Sequence, residues 1–378
     1  MVKIVHIITG LKVGGAQTML YNLVSRLDSP EANHEVVSLG QVGPLGERMQ
    51  HAGIPVYALG MRSGCPDPLR VMKLARWLRI KQPDVILTWL YHADVVGGVA
   101  NKMAGNFPLA WNVRRSTLDR ATLKRSTFLL GRICCRLSHV LPHRILCCSQ
   151  AGMDEHRRSG YDATKMKIIP NGFDLEVFRP DESARDALRS ELGIPSDAIL
   201  IGMMGRFHPM KDHNTLILAA GLLGHKRPDV HFVCAGAEMT RQNSELSRRL
   251  RTAGLCDNFH LLGPRDDIAA LTAGLDIATL SSRSGEGFPN VIGEAMACSV
   301  PCVVTDVGDA GYIVGKTGIV VPPQSPVALK DGWGKLLALS PEERRSLGTQ
   351  ARQRIQADFS LDTVARRYEQ FFSEMVRT

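Results

Sequence analysis

Short apolar runs recur along the chain, each followed by a turn rich in Gly, Ser or Pro and then by a segment with helical spacing. Ile4 to Ile8 opens the series, Gly10 to Gln17 makes the turn, and an amphipathic helix is expected from about Thr18 to Leu27. Strands follow at Glu35 to Leu39, Val56 to Leu59, Val85 to Trp89, Leu109 to Val113 and Ile145 to Cys148, with helices at Leu69 to Ile80 and Asp94 to Ala104. Strands alternating with helices predict an α/β fold with a parallel sheet and binding residues at the strand C-terminal ends. Ile168 to Leu175 carries a turn signature and Pro180 to Ser183 opens a charged helix, so the linker is placed there. The pattern then restarts, with strands at Ala198 to Met203, Val230 to Ala235, Phe259 to Leu262, Leu275 to Leu280, Pro301 to Thr305 and Gly318 to Pro322. At 378 residues the chain exceeds what one core usually supports. Two Rossmann-like domains are expected at 1–180 and 181–358, and residues 359–378 as a helix packing back on the first.

The stretch from Ser281 to Ala297 holds the densest chemistry. Pro289 suits a first helical position and Asn290 can cap the first turn, which leaves the amides of Asn290, Val291 and Ile292 facing an anion at the positive end of the helix dipole. Glu286 and Glu294 are separated by Gly287 and Pro289, so one sits on the loop and the other in the second turn, converging on one pocket. Two carboxylates beside an anion require hydroxyls to accept from and cations to neutralise the charge, a combination that a nucleoside-diphosphate sugar meets. A solvated surface loop and a Mg²⁺ site are the competing readings.

Arg206 and Lys211 emerge beside Gly205 after the strand that opens the second half and can supply the neutralisation. The loop from Gly263 to Asp267, with Arg265, can receive a base through backbone hydrogen bonds or be a plain turn. In the first half, Gly14 and Gly15 allow backbone to approach a ligand. A dinucleotide fold is disfavoured there, because the spacing is not Gly-x-Gly-x-x-Gly and no acid closes the second strand. His92 lies just past a strand end and can position an acceptor or serve as a structural histidine; Asn112, Arg114 and Arg115 point to the same acceptor edge.

Composition changes the picture at one place. The net charge is +9, and from Arg114 to Arg144 eight Lys/Arg face the single acid Asp119, so seven of those charges are local. Leu118, Leu123, Phe128, Leu129, Leu130, Ile133, Leu137 and Val140 are interleaved with them, which suits either a helix on an anionic bilayer or one packed on its own sheet with a solvated basic face. Scarce aromatics and no recognition motif argue against nucleic acid. Nine cysteines without Cys-x-x-Cys spacing point to buried thiols in a reducing compartment. The N-terminal run is too short for a signal peptide and no run reaches spanning length, so a cytoplasmic location, peripheral to the membrane at most, is expected.

Gly14, Gly15 and Ala16, then Gly205, Arg206 and Lys211, then Glu286 and Glu294 within the stretch through Phe288, Pro289, Asn290 and Val291, resemble a family 4 glycosyltransferase of the GT-B fold over essentially the whole chain. That resemblance implies two Rossmann-like domains facing a central cleft and transfer of a hexose or N-acetylhexosamine from a nucleotide diphosphate sugar, UDP first, to a glycan or lipid-linked acceptor in surface polysaccharide assembly. Arg206 and Lys211 would grip the diphosphate, Glu294 the ribose, Glu286 the sugar hydroxyls, and the Val291 and Ile292 amides the phosphate. Retention of configuration without a metal or other cofactor is implied, and no Asp-x-Asp occurs in the chain. Gln17 stands where many members carry an acid, and Asn112 to Arg115 stand where a histidine is usual. A sugar-nucleotide epimerase and a noncatalytic sugar-nucleotide-binding module at a membrane surface are the alternatives.

Overall fold

The computed structural model describes residues 2–27, 32–62, 67–118, 123, 125–224 and 227–377. Two compact units form, one from Met1–Gly172 with Leu361–Thr378 and the other from Phe173–Ser360. The division falls at Gly172 rather than near residue 180 because Phe173 is committed to the second unit. Its ring stacks on Phe288 at 6.0 Å and its amide donates to the Phe359 carbonyl at 2.9 Å.

The first sheet contains β1 (Val2–Ile8), β2 (Ala32–Ser38), β3 (Val56–Ala58), β4 (Val85–Trp89), β5 (Leu109–Val113), β6 (Arg144–Cys147) and β7 (Met166–Ile168), all parallel, in the order β3-β2-β1-β4-β5-β6-β7. Side chains alternate across it. Val85, Leu87 and Trp89 join a core with the helices Gly15–Arg26 and Leu361–Val376. Ile86 faces the opposite core, under the helices Pro68–Lys81, Tyr91–Ala104 and Arg125–Leu137. The C-terminal helix buries Val364, Tyr368 and Phe371 in this unit, and Arg26 pairs with Asp362 at its start.

The second sheet contains β8 (Ile199–Met204), β9 (Val230–Ala235), β10 (Phe259–Leu261), β11 (Ile277–Leu280), β12 (Cys302–Thr305) and β13 (Gly318–Val321), parallel in the order β10-β9-β8-β11-β12-β13. β11 starts later than its apolar run because the Leu275 amide still donates to the Thr272 carbonyl at 3.2 Å, in the turn that ends the preceding helix, while the Asp276 carboxylate accepts from Arg189 at 2.5 Å and from the Leu200 amide at 2.7 Å. Among the described residues eight cysteines are free thiols, and all but Cys256 are buried, so their burial rather than any pairing accounts for them.

In each sheet the winding reverses between two adjacent strands, β1 and β4 in the first and β8 and β11 in the second. Loops leaving neighbouring strands in opposite directions open a crevice at that point, where ligands of open parallel sheets bind.

Candidate functional site

At the switch point of the second unit three loops are tied together. Ser281 Oγ donates to the Lys211 carbonyl at 2.8 Å, the Arg283 amide to the Met210 carbonyl at 2.9 Å, and Thr305 Oγ1 to the Ser282 carbonyl at 2.7 Å. This frame places Lys211 Nζ 2.6 Å from Glu286 Oε1, and Ser282 Oγ donates to the same oxygen at 2.5 Å. One of the three ammonium donors is thereby used and two remain for another acceptor. Arg206, at the end of β8, is exposed and has no partner among the described residues.

The helix Asn290–Ala297 begins at the same crevice. Pro289 is its cap, in an extended conformation at ψ 98°, and Asn290 its first helical residue, so the two exchange the roles expected of them. The Ile292 amide donates to the Pro289 carbonyl at 3.1 Å, so it is not available to a ligand, whereas the Val291 amide has no partner among the described residues. Glu294 is partly buried in the second turn, and desolvation pushes its carboxyl up to about 7. Phe288 is buried in an aromatic cluster with Phe173 and Phe359, which fixes the chain before the helix. Arg265 lies beyond the strand that follows β9, and its guanidinium is committed to Glu191 at 2.6 Å and Asp267 at 2.7 Å. The donor role expected for it competes with those two pairs.

The pattern of the chain did not single out Gly308, Ser282, Thr305 or Met210. Gly308, at φ +63°, lies so close to the loop that a Cβ would overlap the Glu286 carbonyl oxygen, while the Asp309 amide donates to the Gly287 carbonyl at 2.8 Å. Its signal was a Gly in the turn Asp306 to Gly311 directly after an apolar strand. Phe207, His208, Pro209 and Asp212 of the Arg206 loop line a cavity of about 530 Å³ that none of Arg206, Lys211, Glu286 and Glu294 borders.

The first unit arranges its switch point differently. Gly14 caps the helix that begins at Gly15, three residues before the expected start. His92 is exposed in the first turn of the Tyr91–Ala104 helix rather than on a loop, because Leu90 at φ +74° turns the chain directly from β4 into that helix. A non-glycine residue held there marks a site whose surroundings over-determine it. Desolvation and then the nearby Arg115 charge lower the His92 pKa. Asn112 is fully buried and donates to the Tyr368 hydroxyl at 3.1 Å. Arg114 donates to Asn171 and lies 5.3 Å from the Trp89 ring centroid. Only His92 and Arg115 of the expected acceptor set are exposed. Within the basic stretch, residues 119–122 and 124 lie outside the described residues. Leu118 and Gly131 are buried under the sheet while Leu129, Ile133 and Val140 face outward.

Two family models match, glycosyl transferases group 1 over residues 184–354 and glycosyltransferase family 4 over residues 13–177. A glycosyltransferase of Bacillus subtilis called EpsF is 25% identical over 322 residues, covering 80% of this chain and 79% of that protein. A D-inositol 3-phosphate glycosyltransferase of Corynebacterium urealyticum is 30% identical over 231 residues, 57% of this chain and about half, 53%, of that protein's length. Anabaena HepE, solved with UDP and glucose, superposes with a TM-score of 0.84 at 23% identity, covering 99% of this chain and 100% of that one, which shows the shared fold.

Proposed function

Because this chain belongs to the family 4 glycosyltransferases and has their GT-B fold, we propose that it transfers a hexose or N-acetylhexosamine from a UDP-sugar, with retention and without a metal, to a glycan or lipid-linked acceptor in surface polysaccharide assembly. The observation that carries this reading is the Lys211–Glu286 contact of 2.6 Å at the switch point of the second sheet, beside the exposed Arg206. The leaving diphosphate develops negative charge as the glycosidic bond breaks, so the groups that matter are donors already fixed where that charge accumulates. Lys211 keeps two donors after pairing with Glu286, Arg206 has its fork unspent, and the Val291 amide points out of a helix start. Glu286, itself fixed by the Ser282 hydroxyl, holds the ammonium in place, so little reorganisation accompanies the reaction. Glu294, as a carboxylate, accepts from ribose hydroxyls, and its raised pKa makes that contact stronger above pH 7 than below it.

The names of relatives support the class. HepE was solved with UDP and with UDP-glucose, which favours UDP as the donor nucleotide here. Titrating UDP, GDP and ADP against thermal unfolding tests the donor, since a ligand at a hundred times its Kd stabilises by about 2.7 kcal/mol. UDP should raise Tm most. Incubation with UDP-sugars followed by NMR of the sugar then separates the reactions: an α-linked product from an α-donor supports retention, a free epimerised nucleotide sugar would establish an epimerase, and no turnover of any donor a binding module.

A further inference from the structure

The outward surface of three helices in the first unit has a composition that the transfer reaction does not use. Pro68–Lys81 packs on Tyr91–Ala104, which packs on Arg125–Leu137, all over the same face of the sheet, and Arg79 Nη2 donates to the Met103 carbonyl at 2.6 Å between the first two. Outward positions of a helix layer are normally polar, with apolar residues scattered singly. Here the first helix exposes Leu69, Met72 and Ile80 among Lys73, Arg76 and Arg79. The second exposes Val99 and Met103 beside Lys102, and the third Leu129 and Ile133 among Arg125, Arg132 and Arg136, with Val140 in the turn after it. Among the described residues, eight of the sixteen exposed large hydrophobic side chains fall in this layer, so the patch is concentrated rather than scattered.

The charge is as one-sided as the hydrophobicity. Seven exposed Lys/Arg lie on these helices, and the ion pairs that the helices make, Arg70 with Asp67 and Lys81 with Glu35, use other residues. The one acid within the three helices, Asp94, is buried and accepts from Thr88 Oγ1 at 2.5 Å. Each exposed stripe therefore alternates an apolar side chain with a basic one whose stem can lie in a hydrocarbon boundary while its head reaches phosphate.

We propose that this three-helix layer docks on an anionic lipid bilayer, with Leu69, Met72, Ile80, Leu129, Ile133 and Val140 entering the headgroup boundary and the arginines and lysines on lipid phosphates. A second copy of the chain is a poor occupant, because a two-fold contact would set seven cations against seven. Nucleic acid is disfavoured by a patch whose exposed apolar members are aliphatic, with no exposed aromatic to stack a base. No helix among the described residues is long and apolar enough to cross a membrane, so the contact is at the surface. The surface stands whether or not the acceptor is lipid-linked.

Co-sedimentation of the full chain with phosphatidylcholine vesicles, with and without phosphatidylglycerol, tests this. Binding should require the anionic lipid and fall with salt. With each basic residue contributing about fivefold in partition, the combined variant Arg76→Glu/Arg132→Glu/Arg136→Glu should bind at least ~100-fold more weakly. Leu129→Ser/Ile133→Ser should bind roughly tenfold more weakly at the same net charge. An unchanged Tm and UDP affinity in both variants shows that they fold and keep the nucleotide site. Equal binding to neutral vesicles, wild-type binding by the charge-reversed variant, capture of RNA without vesicle binding, or a dimer broken by these substitutions would each overturn the proposal. Loss of UDP binding in the wild type with vesicle binding intact would strike the functional reading and leave this one standing.

Discussion

The switch points of the two sheets share a topology and differ in what holds their loops. In the second unit the β8, β11 and β12 loops are laced to one another by Ser281, Arg283 and Thr305, and the side chains that remain, Lys211, Glu286 and Arg206, sit at the crevice. In the first unit the backbone does the holding, through Leu90 at φ +74°, while Asn112 and Arg114 turn their polar groups inward to Tyr368 and Asn171. A frame of hydrogen bonds between loops fixes charges for a ligand of constant shape, such as a diphosphate. Loops that anchor inward leave an exterior that can vary with the acceptor.

Lys211→Ala should separate the two sites most sharply: kcat drops by ~10²-fold or more when a preorganised donor is lost. Turnover within twofold of wild type on a UDP-sugar would remove Lys211 from its assigned role. Next in size, Gly308→Ala forces a Cβ onto the Glu286 carbonyl at a positive φ, and urea unfolding should register about 2–3 kcal/mol of destabilisation. Gly10 in the first unit has nothing within 4 Å of its own Cβ position, so Gly10→Ala should stay within about 1 kcal/mol. Comparable losses at both glycines would erase the distinction between a laced loop frame and an open one.

Glu294 tests the pH dimension. Its folded pKa of about 7 lies above the ordinary value near 4.3. Stability from the protonated form is therefore fully present below the unfolded pKa and is lost as pH rises through about 7. Glu294→Gln should then be more stable than wild type at pH 8 by roughly 1–2 kcal/mol, yet bind UDP about tenfold more weakly there. UDP affinity of the wild type should decline as pH falls through about 7, and a flat profile would detach the carboxylate from the ligand. The smallest effects belong to His92→Ala and Arg265→Ala, whose UDP affinity should stay within about twofold, since the first lies in the other unit and the second is spent on Glu191 and Asp267. A raised acceptor KM in His92→Ala alone would place the acceptor at the first switch point.

Much of this organisation was legible in the residues. Alternating apolar runs and helical segments gave both parallel sheets, because strand and helix periods are local properties. Glu286, Glu294, Arg206 and Lys211 stood out because two cations and two carboxylates fall, in order, in glycine-bearing segments directly after apolar strand runs. The misplacements were short-range and physical. Pro289 has a φ compatible with a first helical position but an extended ψ, and the preceding Phe288 is held by an aromatic cluster that no local pattern announces. Leu90 gave no warning either, since a leucine at positive φ is imposed by its surroundings.

By itself, then, the order of residues determined the two-sheet plan and the family, and it put Lys211 and Glu286, which the fold pairs, on loops that follow strands of the second half. Tertiary structure alone decided which groups are spent and which are free: Arg265 and Arg114 on internal partners, Ile292 on its own helix start, Arg206 unspent. It also assembled a basic, apolar surface from three helices that are separate in sequence. Availability of a donor or an outward stripe depends on which groups become neighbours in space, and that is settled only when the sheets are packed.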